Sequence, residues 1–388
     1  MFLKKTMERN PKLIDEVIKL HQNGEISPDS FIVDLDNLRK NAKIILDKAN
    51  NYDIDLYYML KQLGHNPYIG KILTELGYSG AVSVDFRETE VLMNNNLPIS
   101  NVGHLVQIPD YQIEEVLKYG VKYVTIYSME KLRLINELAK KLGIVQNIMI
   151  RLTDDSDFIY PGQTAGFSLE ELEELSKISK KELKNICISG VTSFPCYLYD
   201  ENIGDIVSTP NLETVFRGKE ILEGLGHKIN AIDTPSTTCS RTLDLMKEDG
   251  SNIGEPGHGL TGTTPLHAYK NLEEIPCVIY LSEISHNFDG KAYAFGGGHY
   301  RRSRLKNALV VDKKDNREVF NIFAPEATNI DYHFSFDRKL DVGSSVLMAF
   351  RFQIFVCRSD VVLIEGIEKG NTKIVGIYDS LGRIKKRG

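Results

Sequence analysis

Between about residues 56 and 259 the chain alternates short apolar, β-branched runs with stretches whose apolar residues recur at helical spacing. The runs at 56–61, 79–85, 99–105, 123–128, 147–152, 187–195, 231–237 and 253–259 read as strands. The clearest helices are predicted at 128–142, 168–179 and 209–225, with Ser128 and Ser168 as N-caps and Glu171 completing a capping box. Eight strands, most followed by a helix, over roughly 200 residues are the count that closes a (β/α)8 TIM barrel. From about Asn271 the pattern changes to strands without helices, at 278–282, 308–311, 346–349, 351–356, 361–366 and 373–378. That texture predicts an antiparallel β domain. A strand-like run at 31–35 precedes the first barrel helix and could join the β domain, while 10–23 reads as an amphipathic helix. The fold class is therefore α/β, a TIM barrel followed by a C-terminal antiparallel β domain. Residues 1–30 form a helical extension, 31–268 the barrel and 269–388 the β domain.

Composition narrows the function classes. With 47 Lys and Arg against 53 Asp and Glu, the formal charge is −6, so no global basic footprint for nucleic acid or anionic membrane exists. The five cysteines are scattered and never form a C-x-x-C pair, which argues against a disulfide framework or a zinc knuckle and predicts no metal site. Met1 to Lys5 lead into polar residues, unlike a signal peptide, and no apolar run is long enough to span a membrane. A cytoplasmic protein with reduced thiols is expected.

Chemistry in a TIM barrel sits at the carboxyl ends of its strands. The first predicted strand ends in Lys61. A lysine at the mouth of an apolar strand can be desolvated, which lowers its pKa and makes it a nucleophile toward aldehydes. Alone it reads more readily as a snorkelling surface lysine. The seventh strand ends in Thr234-Pro235-Ser236-Thr237-Thr238, and the eighth in Gly254-Glu255-Pro256-Gly257-His258-Gly259. Barrel phosphate sites are built from these two loops, with hydroxyls at Ser236, Thr237 and Thr238 and close backbone approach at Gly257 and Gly259. Such clusters are also ordinary loop punctuation. A lysine on strand one together with a phosphate cradle on strands seven and eight points to pyridoxal 5'-phosphate.

At these residues the chain resembles the alanine-racemase-like, fold-type III pyridoxal-phosphate enzymes, and among them the YhfX-like group. The segment from Phe31 to Asn41, the lysine strand Tyr58-Met59-Leu60-Lys61-Gln62-Leu63-Gly64-His65, the run Gly190 to Pro195 and Glu255-Pro256-Gly257-His258 carry the resemblance over nearly the whole chain. It implies a barrel plus β domain, a small amino-acid substrate, and a head-to-tail homodimer with active sites at the subunit interface. Lys61 would hold the cofactor as a Schiff base and act as one base, and His65 would support it.

Two departures bear on the activity. Alanine racemases carry Arg where this chain has Glu255, which instead resembles the branch that decarboxylates basic amino acids. A carboxylate within about 4–6 Å stabilises a protonated pyridine nitrogen, whereas an arginine disfavours it. Glu255 therefore favours a carbanion at the substrate α-carbon. The racemase tyrosine position is taken by Phe295, which cannot transfer a proton; His299 or Tyr300 could, as could Cys357. Cys357-Arg358-Ser359-Asp360 and Gly376-Ile377-Tyr378 resemble elements of the decarboxylase branch, and the second puts Tyr378 near the cofactor. Phe194 would stack on the cofactor ring. Arg151, at the end of strand five, would bond the cofactor's phenolic oxygen or a substrate carboxylate.

The leading expectation is an amino-acid racemase that abstracts the α-proton. A decarboxylase or lyase on the same cofactor is the alternative, followed by a non-catalytic cofactor-binding protein. A barrel aldolase using Lys61 without the cofactor would leave Glu255-Pro256-Gly257 unexplained.

Overall fold

The computed structural model describes residues 1–326 and 328–388. The chain forms two compact units: one of Met1–Ile44, Lys61–Asn66 and His258–Gly388, the other of Ile45–Leu60 and Pro67–Gly257.

The second unit is the barrel. Its strands are Asp55–Tyr58, Gly80–Val82, Ile99–Val102, Tyr123–Ile126, Gln146–Thr153, Ile186–Thr192, Ala231–Asp233 and Ile253–Gly254. Each pairs in parallel with its neighbours, and the ring closes where Ile253 and Gly254 meet Asp55 and Leu56. All eight expected strands are present, several shorter than their apolar runs, because pairing ends where the chain turns outward at the strand's carboxyl end. Tyr57, Met59, Val82, Tyr123, Met149, Ala231 and Ile253 fill the interior. The caps behave as their chemistry dictates. The Ser128 hydroxyl accepts from the Lys131 N–H at the start of Met129–Leu142, and Ser168 and Glu171 form the full capping box.

The first unit is built on a sheet of ten strands among the described residues. Its principal path runs Arg317–Asn321, Asn307–Val311, Ser345–Met348, Val278–Phe288, Ser30–Asp34, Asp360–Glu365, Lys373–Tyr378, Ile384–Arg387. Lys291–Phe295 and His333–Phe336 extend it as a side branch on Val278–Phe288. Ser30–Asp34 is the early strand-like run. It enters antiparallel to Val278–Phe288 but parallel to Asp360–Glu365, so one pair in an otherwise antiparallel sheet runs the other way. The helix Pro11–Gln22 has a clear purpose. Its Leu13, Ile14, Val17 and Ile18 pack on Ile279, Leu281, Leu309, Leu347 and Val362, covering one face of this sheet. At about 25 cal/mol per Å2 such a stripe contributes several kcal/mol.

One expected strand is absent. Residues 351–354 alternate polar and apolar side chains and 354–356 are apolar, but the Arg351 N–H donates to Ser303 O (2.8 Å) and the Val356 N–H to Gln353 O (3.2 Å), which turns the backbone away from a ladder. Phe352 packs instead on Phe31, with centroids 5.5 Å apart, and Ile354–Val356 is a single 3-10 turn. No helix of the described residues is long and apolar enough to cross a membrane.

Candidate cofactor site

In the barrel, side chains from the carboxyl ends of several strands meet. His104 lies two residues past Ile99–Val102, Asp233 ends Ala231–Asp233, and Glu255 directly follows Ile253–Gly254. All three are buried. His104 Nε2 lies 3.8 Å from Glu255 Oε2, and the Asp233 carboxyl lies beside both. Each residue offers one polar atom within 4.8 Å of the others, a grouping suited to a buried cation, either a protonated ring nitrogen or a metal ion. The Thr192 hydroxyl donates to Asp233 Oδ2 at 3.0 Å. Burial raises the Asp233 carboxyl above the ordinary carboxylate range, and its bonds to Thr192 and Glu255 only partly offset this. Burial likewise pushes the nearby Cys196 thiol well up.

Arg151 is buried against this group. Its guanidinium donates to His104 O (3.0 Å), the Tyr127 hydroxyl (3.2 Å) and Gln163 O (3.1 Å), and lies over the Tyr127 ring. These bonds fix the mouth-side backbone at His104. The Phe194 ring meets His104 edge-on at 5.8 Å and Tyr160 at 6.0 Å.

The seventh strand leads into the second part of the site. Ser236 and Thr237 adopt φ of 108° and 57°, conformations that turn successive N–H groups to one side. Helix Ser240–Asp249 begins directly afterwards. Its N-cap, Cys239, has its thiol 3.4 Å from Thr242 Oγ1 and makes no side-chain bond to the first-turn amides. A turn of this kind running into a helix N-terminus suits a phosphate. The Thr238 hydroxyl accepts the Glu255 N–H at 3.2 Å, which joins this turn to the carboxyl cluster and leaves its own O–H free to donate. Gly257 completes this loop within the barrel unit.

The remaining expected residues lie in the other unit. Lys61 opens the 3-10 turn Lys61–Leu63, three residues beyond strand one, and is partly buried. Gly64 and His65 follow with φ of 66° and 51°, and the His65 ring rests 5.3 Å from Phe355. A methyl group on Gly64 would stand 3.1 Å from Ile354 Cγ2, Ser380 O and Val361 Cγ2. Gly64→Ala should therefore destabilise the protein by about 2 kcal/mol through combined left-handed strain and overpacking. Urea unfolding measures this, and a change below about 0.5 kcal/mol would contradict it.

His258 is held by Thr263 Oγ1, 3.0 Å from its Nδ1, and packs on Phe352. Burial keeps its imidazole far below the usual pKa, and the charges of Arg351 and Lys61 add to that, so His258 is neutral near pH 7. Gly259 follows, its carbonyl accepting from the Gly262 N–H at 3.0 Å. Tyr378 is buried in the sheet opposite Val361. Cys357 ends the Ile354–Val356 turn, 3.0 Å from Ile354 O, with its thiol pushed up to about 11 by burial. Residues 296–302 form an ordered loop. Asp331 Oδ2 accepts the Gly297 and His299 N–H groups at 3.1 and 3.0 Å, and Arg302 Nε donates to the Tyr300 hydroxyl at 2.9 Å. Burial lowers the His299 pKa, which Asp331 partly offsets.

Sequence reasoning passed over His104, Asp233, Tyr127 and Asp331. The first two carry a readable signal, a titratable residue at the carboxyl end of a barrel strand. Their wide spacing hides their meeting, and no metal-type motif could have exposed it.

Two family models match the chain: that of the alanine racemase N-terminal domain over residues 33–265 and that of the YhfX-like C-terminal domain over residues 279–374. The chain belongs to the alanine-racemase-like, fold-type III family, whose enzymes bind pyridoxal 5'-phosphate. It is 39% identical over 383 residues to the uncharacterized protein YhfX of Escherichia coli K12, covering 98% of this chain and 99% of that one. Among solved structures it resembles D-threonine aldolase from Filomicrobium marinum (TM-score 0.66, 14% identity, 91% and 94% coverage). It also resembles diaminopimelate decarboxylase from M. jannaschii in complex with L-lysine (TM-score 0.65, 16% identity, 95% and 92% coverage). At such identities the likeness is one of fold.

The donor set fits the cofactor. The turn at Ser236 and Thr237 with the start of Ser240–Asp249 suits its phosphate, and the buried acid group at Glu255 suits a protonated ring nitrogen.

Proposed function

We propose that this chain is a pyridoxal-phosphate-dependent amino-acid racemase that abstracts the α-proton of a small amino acid. The observation that supports α-carbon chemistry is Glu255, a buried carboxyl at the end of strand eight grouped with Asp233 and His104; inversion further requires a second acid. When bound, the cofactor supplies an aldehyde that captures amines and a conjugated ring that takes up the electron pair left at Cα.

Every other task falls to the chain's own residues. Lys61 Nζ holds the cofactor and takes the α-proton on one face. Glu255 holds a proton at the ring nitrogen, which deepens the electron sink. Ser236, Thr237, Thr238, Gly257, His258 and Gly259 line the phosphate end. Phe194 covers the ring, while Arg151 and Tyr378 bind its polar edge or the substrate carboxylate.

A racemase needs a second acid on the opposite face. His299, whose neutral form burial favours, can accept or return a proton, and Tyr300 can act beside it. Cys357, with its thiol near 11, would serve as a donor. The 296–302 loop is flanked by exposed apolar side chains at Phe295 and Tyr332, which supports burial against a second copy and a homodimer with its site at the interface. A cytoplasmic enzyme acting on free amino acids, with neither nucleic acid nor membrane as a partner, completes the proposal.

A decarboxylase is the second reading, because Glu255 favours a strong electron sink and loss of CO2 needs no second acid. Incubation with a pool of L- and D-amino acids in heavy water separates the two. A racemase incorporates deuterium at Cα and generates the opposite enantiomer, read by mass spectrometry and chiral chromatography. Amines without inversion would move the assignment to decarboxylation, and no exchange with any amino acid would refute α-carbon chemistry on this pool.

A further inference from the structure

The proposed role of Glu255 leaves Asp233 unexplained. Its side chain is fully buried and bonded to Thr192 Oγ1 on the adjacent strand, and it faces Glu255 within the barrel. The two carboxyls lie within 4.8 Å of one another in the buried barrel, where two full negative charges repel, so the sharing of a single proton is favoured. The titratable groups facing Asp233 are Glu255, His104, the Cys196 thiol and the Tyr57 hydroxyl. Thiol and phenol are both held neutral by burial, which leaves the carboxyl pair and the His104 ring beside it to exchange a proton.

We propose that Asp233 is a positioning residue that acts through Glu255: the pair stores one proton, hands it to the cofactor's ring nitrogen, and then holds that nitrogen protonated with two carboxylates. The inference rests on the cofactor reading above. The transfer balances. One carboxyl O–H bond breaks, one N–H bond forms, and a singly charged pair becomes a doubly charged pair beside a new cation. Net charge in the buried site is unchanged, which avoids the penalty of moving an uncompensated charge into the barrel. Thr192 sets the outer end of the pair, and the Glu255 N–H bond to Thr238 ties the inner end to the phosphate cradle. His104, its Nε2 3.8 Å from Glu255, would report the pair's charge through its own protonation.

The test uses the full-length protein reconstituted with cofactor labelled with 15N in the ring, and follows that nitrogen's NMR shift against pH. Wild type, Asp233→Asn, Thr192→Val and Glu255→Gln are compared. Asparagine keeps the volume and can still bond Glu255, so a purely structural role would be rescued by it. The proposal expects the pH midpoint for loss of the ring-nitrogen proton to fall by one unit or more in Asp233→Asn, about tenfold in proton affinity. Thr192→Val, which leaves both carboxyls in place, should shift it in the same direction but less, and remains informative if Asp233→Asn fails to fold. A midpoint in Asp233→Asn equal to wild type, with Glu255→Gln still lowered, would overturn the inference and leave the role of Glu255 standing. An unchanged midpoint in Glu255→Gln as well would refute the cofactor reading on which it rests. Stoichiometric metal in the reconstituted protein, lost in Asp233→Asn, would overturn it too, because the group would then be a metal site.

Discussion

Lys61→Ala should fold normally and lose the visible absorbance of lysine-bound cofactor. Lys61 is partly buried at the start of a 3-10 turn, so truncating it removes no large core contact. In the proposed site the cofactor's phosphate and ring contacts come from other residues, so weak non-covalent binding should persist. Exchange of the substrate α-proton should drop by roughly 10³-fold or more, since the same amine is both the anchor and one base. A far-UV spectrum matching wild type, with the absorbance gone, is the expected pair of observations. Persistence of the absorbance would mean that another amine carries the cofactor.

Glu255→Gln should have the second-largest effect. The amide keeps the size of the buried side chain and leaves the bond from the Glu255 backbone N–H to Thr238 intact. What it loses is the negative charge that holds a proton on the ring nitrogen. Removing a single electrostatic group at a reacting centre typically costs about 10²–10³ in rate, near 3–4 kcal/mol. Cofactor binding should weaken far less than α-proton exchange, so titration of the apoprotein separates the two. Loss of binding in proportion to exchange would make Glu255 a structural residue.

Much of the fold was legible because a barrel announces itself by repetition. Eight apolar runs separated by helical spacing leave few alternatives, and capping residues such as Ser128 and Ser168 mark element starts by local chemistry alone. The segment 351–356 misled for an equally local reason. Its alternation mimics a strand, but Phe352 is drawn into an aromatic cluster with Phe31. The strand Ser30–Asp34 was visible as a strand, whereas its partners lie some 250 and 330 residues away, and pairing at that range has no sequence signal.

Legibility of the site divides in the same way. Lys61, Glu255 and the Ser236–Thr238 turn stand out as candidates because each sits in a motif. Asp233 comes from the neighbouring strand seven, paired at Ile253, and His104 from strand three, which only barrel closure brings to Glu255. The bond from the Glu255 N–H to the Thr238 hydroxyl is a contact that residue type does not announce. The burial of Tyr378 opposite Val361 is likewise set by sheet pairing that its motif does not reveal.

The measurement closest to the central claim is chemical trapping. The cofactor-loaded protein would be reduced with borohydride, digested and mapped by mass spectrometry. The account predicts a single pyridoxyl adduct on the peptide containing Lys61. An adduct on any other lysine, or no adduct on a visibly coloured protein, would contradict it.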